Sequence, residues 1–388
     1  MIFMSGPRQT GKTTLAQMVL KQRTNRLYFN WDIPADRARL IQNPDFFSEI
    51  ERQDLSNPLV VFDEIHKYKG WKNYLKGAYD RFHPEFDFLV TGSGRLDLYQ
   101  KGGDSLAGRY SLFHLWPFTL SELGNNVRSI ADFTKNPLEF GEGSSSELEE
   151  IWKGLETFSG FPEPFLKQSK AGYNRWSSIY AQQLIREDIR DLTNIKSIGD
   201  LETLYYLLAS KIGSPLSIPS LSKDLKSAYN TVANWLAVFE RFFMTFSIGP
   251  WTRKISRAIQ KERKLYLWDI PRIKDEAARF ENMVAIELFR AVTIWNDMGW
   301  GRFTLHFIKN KEQQEVDFLI AADNEPLLLI EAKLTETQPS AALLKFQNFL
   351  QIPAVQLVRR SGGFRIYSRN DHKILIAPAW QWLATLPW

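Results

Sequence analysis

The chain contains no cysteine among its 388 residues. This absence excludes disulfide bonds, thiolate catalysis and cysteine-based zinc sites. The sequence also lacks an apolar run approaching the ~18–20 residues that span a bilayer, and it shows no signal-peptide pattern. We therefore expect a soluble, cytoplasmic protein with no membrane association. The five histidines are scattered, and a net charge of +5 is too small to indicate a nucleic-acid partner by itself.

Residues 6–13 match the phosphate-binding loop pattern G-x-x-x-x-G-K-[ST] at every fixed position. Gly6 and Gly11 let the backbone bend so that N–H groups face phosphate oxygens. Lys12 would contact the β- and γ-phosphates of ATP, and the Thr13 hydroxyl would bind Mg²⁺. A helix-like segment follows the loop and would point its N-terminus at the phosphates. The predicted nucleotide contacts are Gly6, Pro7, Arg8, Gln9, Thr10, Gly11, Lys12, Thr13, Thr14 and Ser93.

Two further strand ends predict the rest of an ATP-hydrolysing site. The apolar run at 59–62 is typical of a strand buried in a parallel sheet, and it ends in Asp63 and Glu64. Asp63 would hold Mg²⁺, and Glu64 would polarise the attacking water. The run at 87–90 leads to Thr91 and Ser93, either of which would contact the γ-phosphate unless this segment is a simple glycine-rich turn.

These motifs resemble those of bacterial and archaeal AAA-type P-loop ATPases that are fused to a C-terminal domain of unknown function. The resemblance spans nearly the whole chain. It rests on the phosphate loop, Phe62–Glu64, Thr91–Ser93, Gly108–Arg109, Trp116–Leu123, Ser159–Glu163 and Phe280–Leu288. It implies that Arg109 is an arginine finger, and it allows a homo-oligomer in which Arg109 acts in trans. Family members usually carry a further segment before the first strand, so either Met1 is a late start or contacts to the base are weaker.

The spacing of apolar and polar residues predicts an α/β protein built from four segments. Residues 1–124 alternate strands with helices, as in the parallel sheet of a P-loop ATPase core. Residues 125–210 are expected to form a helical lid or linker. Residues 211–270 look like a winged helix, and residues 271–388 like a separate C-terminal α/β domain.

The predicted winged helix carries a cluster of basic residues at its wing. The cluster consists of Arg253, Lys254, Arg257, Lys261, Arg263 and Lys264. A basic wing is the pattern expected of a contact with the DNA phosphate backbone. A winged helix that only connects the ATPase to the C-terminal domain is an equally good interpretation, and the sequence leaves both open.

The C-terminal segment places carboxylates on two strand-like runs, 315–320 and 326–333, that flank a turn at 323–325. If Asn324 centres the turn, residues whose numbers sum to 648 lie opposite each other. Asp317 would then face Glu331, with Lys333 on the same side of the sheet. Two carboxylates directly opposite each other destabilise a sheet unless another charge compensates them. Mg²⁺ or Mn²⁺ would provide that charge, because both prefer hard oxygen ligands.

This arrangement resembles the active site of PD-(D/E)XK nucleases, in which Asp317, Glu331 and Lys333 would be catalytic. Glu281, on the preceding helix, matches an acidic residue that such folds often add to the metal site, so the predicted metal ligands are Glu281, Asp317 and Glu331. The alternative is an ordinary salt-bridge network formed by Glu331, Lys333 and Glu315.

The sequence therefore predicts a protein that binds and hydrolyses ATP and couples its nucleotide state to a nuclease-like domain acting on DNA. The alternative is an ATP-dependent regulatory switch. In that alternative the nuclease-like fold does not cleave DNA and serves as a scaffold that binds DNA or a protein.

Overall fold

The computed structural model describes ten ranges of the chain: 1–92, 106–125, 127–139, 145–190, 195, 197–252, 263–335, 338–359, 363–369 and 372–388. Ser93 and the basic residues Arg253, Lys254, Arg257 and Lys261 of the predicted wing lie outside these ranges. The chain divides into two compact units. The first comprises Met1–Trp116 and Arg241–Phe243, and the second comprises Pro117–Glu240 and Met244–Trp388.

The first unit contains a five-stranded, entirely parallel sheet. Its strands are β1 (Ile2–Ser5), β2 (Arg26–Asn30), β3 (Leu59–Asp63), β4 (Asp87–Thr91) and β5 (Ser111–His114). Their order in the sheet is β2-β3-β4-β1-β5. The helices are α1 (Lys12–Lys21), α2 (Pro34–Gln42) and α3 (Trp71–Phe82). The predicted parallel sheet is therefore confirmed.

Alternation along the strands separates two apolar layers in this unit. On one face Phe3 and Phe62 belong to a cluster that also contains Trp71 of α3. On the other face Met4 and Val61 pack with residues of α1. Both faces are thus covered by helices, and this explains why the strands are continuous apolar runs.

The second unit begins with helices. They are α4 (Leu120–Leu123), α5 (Ile130–Lys135), α6 (Ser145–Phe158), α7 (Pro162–Lys167), α8 (Lys170–Gln183), α9 (Ile198–Leu208), α10 (Ile218–Asp224) and α11 (Tyr229–Arg241). A π-helical turn at Leu184–Ile189 continues α8. The predicted helical content of 125–210 is confirmed, and the role of this segment as a lid stays a prediction. The later helices are α12 (Glu276–Asp297), α13 (Ala341–Leu350) and α14 (Ala379–Leu383).

An eight-stranded mixed sheet forms the centre of the second unit. Its strands are β6 (Thr245–Pro250), β7 (Lys264–Leu267), β8 (Phe303–Lys309), β9 (Glu315–Ala322), β10 (Glu325–Lys333), β11 (Ala354–Val358), β12 (Arg365–Arg369) and β13 (His372–Pro378). They lie in the order β12-β13-β11-β10-β9-β8-β6-β7. Within the described residues, no helix is both long and apolar enough to cross a membrane.

The two predicted wing strands belong to this larger sheet, and the expected boundary at residue 270 stays a prediction. β6 and β7 pair antiparallel, as a wing would, but β6 also pairs with β8 through Gly249–His306 and Pro250–Phe307. All four residues of β7 are buried. The run Lys264–Leu267 is therefore a buried strand at the end of the sheet, and residues 211–270 do not form a compact unit of their own.

The segment after Trp116 is bound to α12, which belongs to the second compact unit, and the expected boundary at residue 124 stays a prediction. Glu287 accepts a hydrogen bond from the Leu120 backbone N–H at 3.0 Å. Arg290 forms an ion pair with Glu122 at 2.6 Å and donates to the Ser121 hydroxyl at 3.1 Å. Glu287 and Arg290 are both buried, so this short segment folds with the second unit.

The β9–β10 hairpin confirms the predicted register over its central pairs. Leu328–Ile320, Leu329–Leu319 and Ile330–Phe318 all sum to 648, and the next pair in this register is Glu331 with Asp317. The turn itself differs from the prediction. Asp323 and Asn324 both have positive φ, and the first pairs sum to 647. An irregularity between Pro326 and Leu328 shifts the register by one residue, as a β-bulge does.

Candidate functional site

The phosphate-binding loop leaves the carboxyl end of β1 and enters α1 at Lys12. Gly6 has φ +145°, and a Cβ there would lie 2.1 Å from the Leu115 carbonyl oxygen. The glycine is thus required by the close approach of the chain after β5, a constraint that the motif alone did not reveal. Gly11 has φ +95°, and no described atom lies within 4 Å of its ideal Cβ position. Gly11 is therefore needed for its left-handed backbone.

Lys12 is buried and lies across its own loop. Its Nζ donates to the carbonyl oxygens of Gly6 at 3.0 Å and Pro7 at 2.6 Å. The Thr10 hydroxyl donates to the same Pro7 carbonyl at 2.9 Å and tightens the loop. The ammonium is therefore held in the concave side of the loop, where a phosphate would meet it.

Of the other predicted loop contacts, Arg8 is partly exposed, and Gln9 and Thr14 are exposed. Gln9 has φ +64°, so it shares the left-handed geometry of the bend. Thr14 lies in the first turn of α1. All members of the predicted phosphate loop therefore lie on one continuous strand–loop–helix segment.

Asp63 at the end of β3 accepts hydrogen bonds from three hydroxyl groups. Its Oδ2 accepts from Thr13 at 2.8 Å and from Tyr28 at 2.7 Å, and its Oδ1 accepts from Thr91. The register of the parallel strands brings these hydroxyl groups to Asp63. Thr91 pairs with Asp63 of β3 on one side and with Met4 of β1 on the other. A carboxylate beside a threonine hydroxyl is an oxygen-only donor set of the kind that Mg²⁺ prefers, so these residues fit that ion.

Tyr28 is a site residue that the sequence analysis missed. Burial raises the pKa of its hydroxyl, and the hydrogen bond to Asp63 raises it further, so Tyr28 stays a neutral donor. The Asn30 amide donates in turn to the Tyr28 hydroxyl at 3.3 Å. The available signal was the spacing on β2, since Tyr28 and Asn30 alternate onto the same face of the strand next to β3.

Glu64 follows Asp63 in a left-handed conformation with φ +57°. Its backbone N–H donates to the Thr91 carbonyl at 3.0 Å, and its carboxylate forms an ion pair with Lys67 at 3.1 Å. Burial raises the pKa of Glu64 above its usual value, and Lys67 opposes this shift. A carboxylate with a raised pKa is suited to accept a proton from water at neutral pH.

Arg109 lies at the opposite edge of the parallel sheet from the phosphate loop. It immediately precedes β5, whose first residue Ser111 donates to the Met1 carbonyl at the start of β1. Its guanidinium forms two hydrogen bonds with Asp80, at 2.6 and 3.1 Å. Because the loop lies at the carboxyl ends of the strands, Arg109 cannot reach the loop of its own chain. The expected role of Arg109 in trans stays a prediction.

The second set of predicted residues meets in a cleft of about 440 Å³ in the second unit. The lining includes Glu281 of α12, Asp317 of β9 and Lys333 of β10. Asp317 Oδ2 accepts a hydrogen bond from the Ala332 backbone N–H at 3.0 Å. Glu331 is buried and forms an ion pair with Lys333 at 2.8 Å. The structure thus brings together all four residues that the nuclease resemblance selected.

A fifth side chain, Lys264, lies among these carboxylates. Its Nζ is 2.6 Å from Glu315, 3.0 Å from Glu281 and 3.3 Å from Asp317. The side chain is only 1% exposed. Burial works to lower the pKa of Lys264, but Glu281, Asp317 and Glu315 outweigh burial and raise it. The sequence analysis included Lys264 in the basic cluster of a segment that either contacts DNA or only connects two domains; the structure buries this residue, so it is not part of an exposed basic surface.

The position of Lys264 also corrects the predicted metal site. Burial raises the pKa of both Glu281 and Glu331, and the nearby charge of Asp317 adds to both shifts. Among the described residues, no group of three Asp, Glu or His side chains is arranged to hold a metal ion. The carboxylates at Glu281, Asp317 and Glu331 therefore do not fit a divalent ion as they stand. The Lys264 ammonium compensates the charge of Glu281 and Asp317, and Lys333 pairs with Glu331.

Three family models match successive parts of the chain. Residues 1–124 match a model described as an AAA domain. The match supports an AAA-type P-loop ATPase. Residues 150–271 and 277–382 match two models that are each described as a domain of unknown function, DUF8612 and DUF4143. The models thus support the ATPase and do not support a nuclease-like fold.

The chain is similar to uncharacterized proteins of archaea and bacteria. One from Methanocaldococcus jannaschii is 25% identical over 98% of this chain and 87% of its own length. One from Mycobacterium tuberculosis is 24% identical over 69% of this chain and 54% of its own length. Among solved structures, the Aeropyrum pernix ORC1 protein in complex with DNA aligns with a TM-score of 0.34. That alignment has 13% identity and covers 73% of this chain and 86% of the ORC1 chain.

We predict that Tyr28→Phe raises the Mg²⁺ concentration needed for half-maximal ATP hydrolysis by about tenfold. A hydrogen bond to a charged group contributes about 1.5–3 kcal/mol, and its loss leaves Asp63 less well positioned. The measurement is phosphate release as a function of Mg²⁺. Tyr74→Phe is the matched control, because Tyr74 donates to the Pro44 carbonyl, away from Asp63. An unchanged Mg²⁺ dependence in Tyr28→Phe would contradict the role.

Proposed function

We propose that the first unit binds and hydrolyses Mg·ATP at the carboxyl edge of its parallel sheet. The observation that carries the proposal is the 2.8 Å hydrogen bond between Thr13 of the phosphate loop and Asp63 of β3. The two motifs are 50 residues apart in the sequence, and this bond brings them together next to Glu64.

Each step of the proposed reaction has a residue of this chain assigned to it. The loop N–H groups and Lys12 bind the phosphates, and Thr13 and Asp63 hold Mg²⁺. A Mg²⁺ ion held by Thr13 and Asp63 would supply positive charge against the negative charge that develops on the phosphates. Glu64 orients the attacking water and accepts its proton, which its raised pKa favours. Thr91, which donates a hydrogen bond to Asp63, would face the γ-phosphate; Ser93, the other predicted contact, lies outside the described residues.

We expect Lys12→Ala to lose ATP binding and hydrolysis together, because the phosphates lose their cation. Glu64→Gln should keep ATP binding and lose about 10²–10⁴-fold in hydrolysis rate, the usual contribution of a general base. Binding of a fluorescent ATP analogue and phosphate release measure the two effects separately. Lys21→Ala, at the end of the same helix, is the control. Wild-type hydrolysis by Glu64→Gln would refute the assigned base.

We further propose that the active form is a homo-oligomer in which Arg109 acts on a neighbouring subunit. The position of Arg109 at the far edge of its own sheet supports this, and the Asp80 pair would be exchanged for the neighbour's phosphate. Arginine fingers are typically worth about 10³–10⁵-fold in rate.

A mixing experiment tests the role in trans. Arg109→Ala and Glu64→Gln should each be inactive alone, while a mixture of the two should regain part of the activity. Mixed interfaces combine an intact Glu64 from one chain with an intact Arg109 from the other. A mixture that stays inactive, although both variants bind ATP and assemble with each other, would rule out the arrangement.

For the second unit we propose the regulatory alternative, in which ATP turnover gates a domain that binds DNA or a protein without cleaving it. The contact of Lys264 with three carboxylates favours this alternative, because their charge is already compensated without a metal ion. The competing proposal is an ATP-coupled nuclease that uses Asp317, Glu331 and Lys333. It is supported by the shared cleft that Asp317 and Lys333 line with Glu281.

We expect no cleavage of labelled linear or circular DNA with Mg²⁺ or Mn²⁺, with or without ATP, while ATP hydrolysis remains intact. The assay is run with the wild type, Asp317→Ala and Lys12→Ala. Cleavage by the wild type that disappears in Asp317→Ala would overturn the non-cleaving proposal. A further dependence on Lys12 would establish the ATP-coupled nuclease.

A further inference from the structure

A cavity of about 910 Å³ opens in the second unit beside α8, α9 and the beginning of α12. Its lining comes from three stretches of the chain, within residues 173–178, 206–212 and 271–278. All of these residues belong to the second unit. Sites for small molecules are typically clefts of roughly 300–1,000 Å³, so this cavity has room for one.

Arg272 is a cation in the lining of this cavity. It is the last residue of the short helical turn Ile270–Arg272. Its guanidinium carbon lies 4.3 Å from the ring centroid of Tyr205 and 4.8 Å from that of Tyr206. The rings interact with the face of the guanidinium, whereas its N–H groups point outward in the plane. The Arg272 Nε is buried and has no hydrogen-bond partner among the described residues.

The carboxylates closest to Arg272 in the sequence take their hydrogen bonds from other donors. Asp269 accepts from the Tyr173 hydroxyl at 2.9 Å and from the Ser177 hydroxyl at 2.5 Å. Asp275 accepts from a backbone N–H in the first turn of α12 at 2.8 Å. A buried donor without an acceptor is costly, and an anion in the cavity would provide the acceptor after a small rotation of the Arg272 side chain.

The rest of the lining supplies a second cation and an apolar wall. Lys274 is exposed at the rim of the cavity. Tyr206 also lines the cavity and is 54% exposed, so its ring is accessible to a ligand. Ala209, Ile212 and Pro271 add apolar surface. A lining of this kind covers the body of a ligand with apolar groups and fixes its charged end with a few polar ones.

We propose that this cavity binds a small organic anion, meaning a molecule with a carboxylate or phosphate group on an apolar or aromatic body. The anionic group pairs with Arg272 and Lys274, because the guanidinium presents paired N–H groups that match two oxygens of a carboxylate or phosphate. The body packs against Tyr206. The site lies entirely in the second unit and is independent of ATP hydrolysis in the first.

The test is isothermal titration calorimetry of the full chain with four probes: benzoate, phenyl phosphate, phenol and inorganic phosphate. We expect benzoate or phenyl phosphate to bind with a dissociation constant below about 1 mM. The tighter of the two identifies the anionic group that the site prefers. Phenol lacks the charge and inorganic phosphate lacks the ring, so each should bind at least about tenfold more weakly.

Two variants locate the binding. Arg272→Met removes the charge and keeps an unbranched stem. Ser178→Trp fills the rim of the cavity from α8, where Ser178 is exposed, and leaves Arg272 in place. Each should weaken binding at least about tenfold. Ile179→Trp is the matched control, because Ile179 is 46% exposed and is not among the residues that line the cavity. Lys12→Ala should also bind normally, since Lys12 belongs to the first unit.

Four results would overturn the proposal. They are no binding of benzoate or phenyl phosphate by the wild type, equally tight binding of phenol, binding that persists in a folded Arg272→Met and in Ser178→Trp, and binding that disappears in Lys12→Ala. The last result would assign the probe to the phosphate loop. Circular dichroism reports whether each variant is folded. If Arg272→Met unfolds because it loses its contacts with the tyrosine rings, the comparison of Ser178→Trp with Ile179→Trp decides.

Discussion

The parallel register of β1, β3 and β4 is the constraint on which the ATPase site depends. Parallel strands end at the same edge of a sheet, so the loop after β1, Asp63 after β3 and Thr91 after β4 converge there. Asp63 accepts hydrogen bonds from the hydroxyl groups of Thr13, Tyr28 and Thr91, which belong to three different elements. The same geometry places Arg109, just before β5, at the opposite ends of the strands, where its guanidinium pairs with Asp80.

Charge compensation organises the second unit in a comparable way. Glu287 and Arg290 are buried on α12, and between them they bind the backbone and side chains of the segment after Trp116. Lys264 does the same for the carboxylates beside β9. Buried charges persist in proteins when they are paired with opposite charges, and both clusters contain such pairs. Residues 120–122 and Glu287 belong to segments that resemble the ATPase family. In this chain they contribute to packing within the second unit.

The sequence predicted the hairpin register correctly but through an incomplete argument. Asp323 and Asn324 form a two-residue turn with positive φ, which would pair residues summing to 647. The irregularity after Pro326 restores the sum of 648 for the pairs from Leu328–Ile320 to Ile330–Phe318, and Asp317 and Glu331 are the residues that follow in this register. A turn motif can be identified from local residue types, whereas a bulge depends on how the strands pack. Tyr28 was missed for a related reason, since its importance comes from the neighbouring strand.

The sequence alone determined the phosphate loop, the strand that ends in Asp63 and Glu64, and the parallel sheet that joins them. These features depend on local chemistry, because a glycine-rich loop, a buried apolar run and a helix start are each specified by adjacent residues. Only the tertiary structure decided what compensates the carboxylates of the second unit. Lys264 is separated from Glu315 and Asp317 by more than 50 residues, and it reaches them because β6 pairs with β8 as well as β7. The residues next to Lys264 in the sequence do not predict these contacts, because strand pairing depends on the packing of the whole sheet.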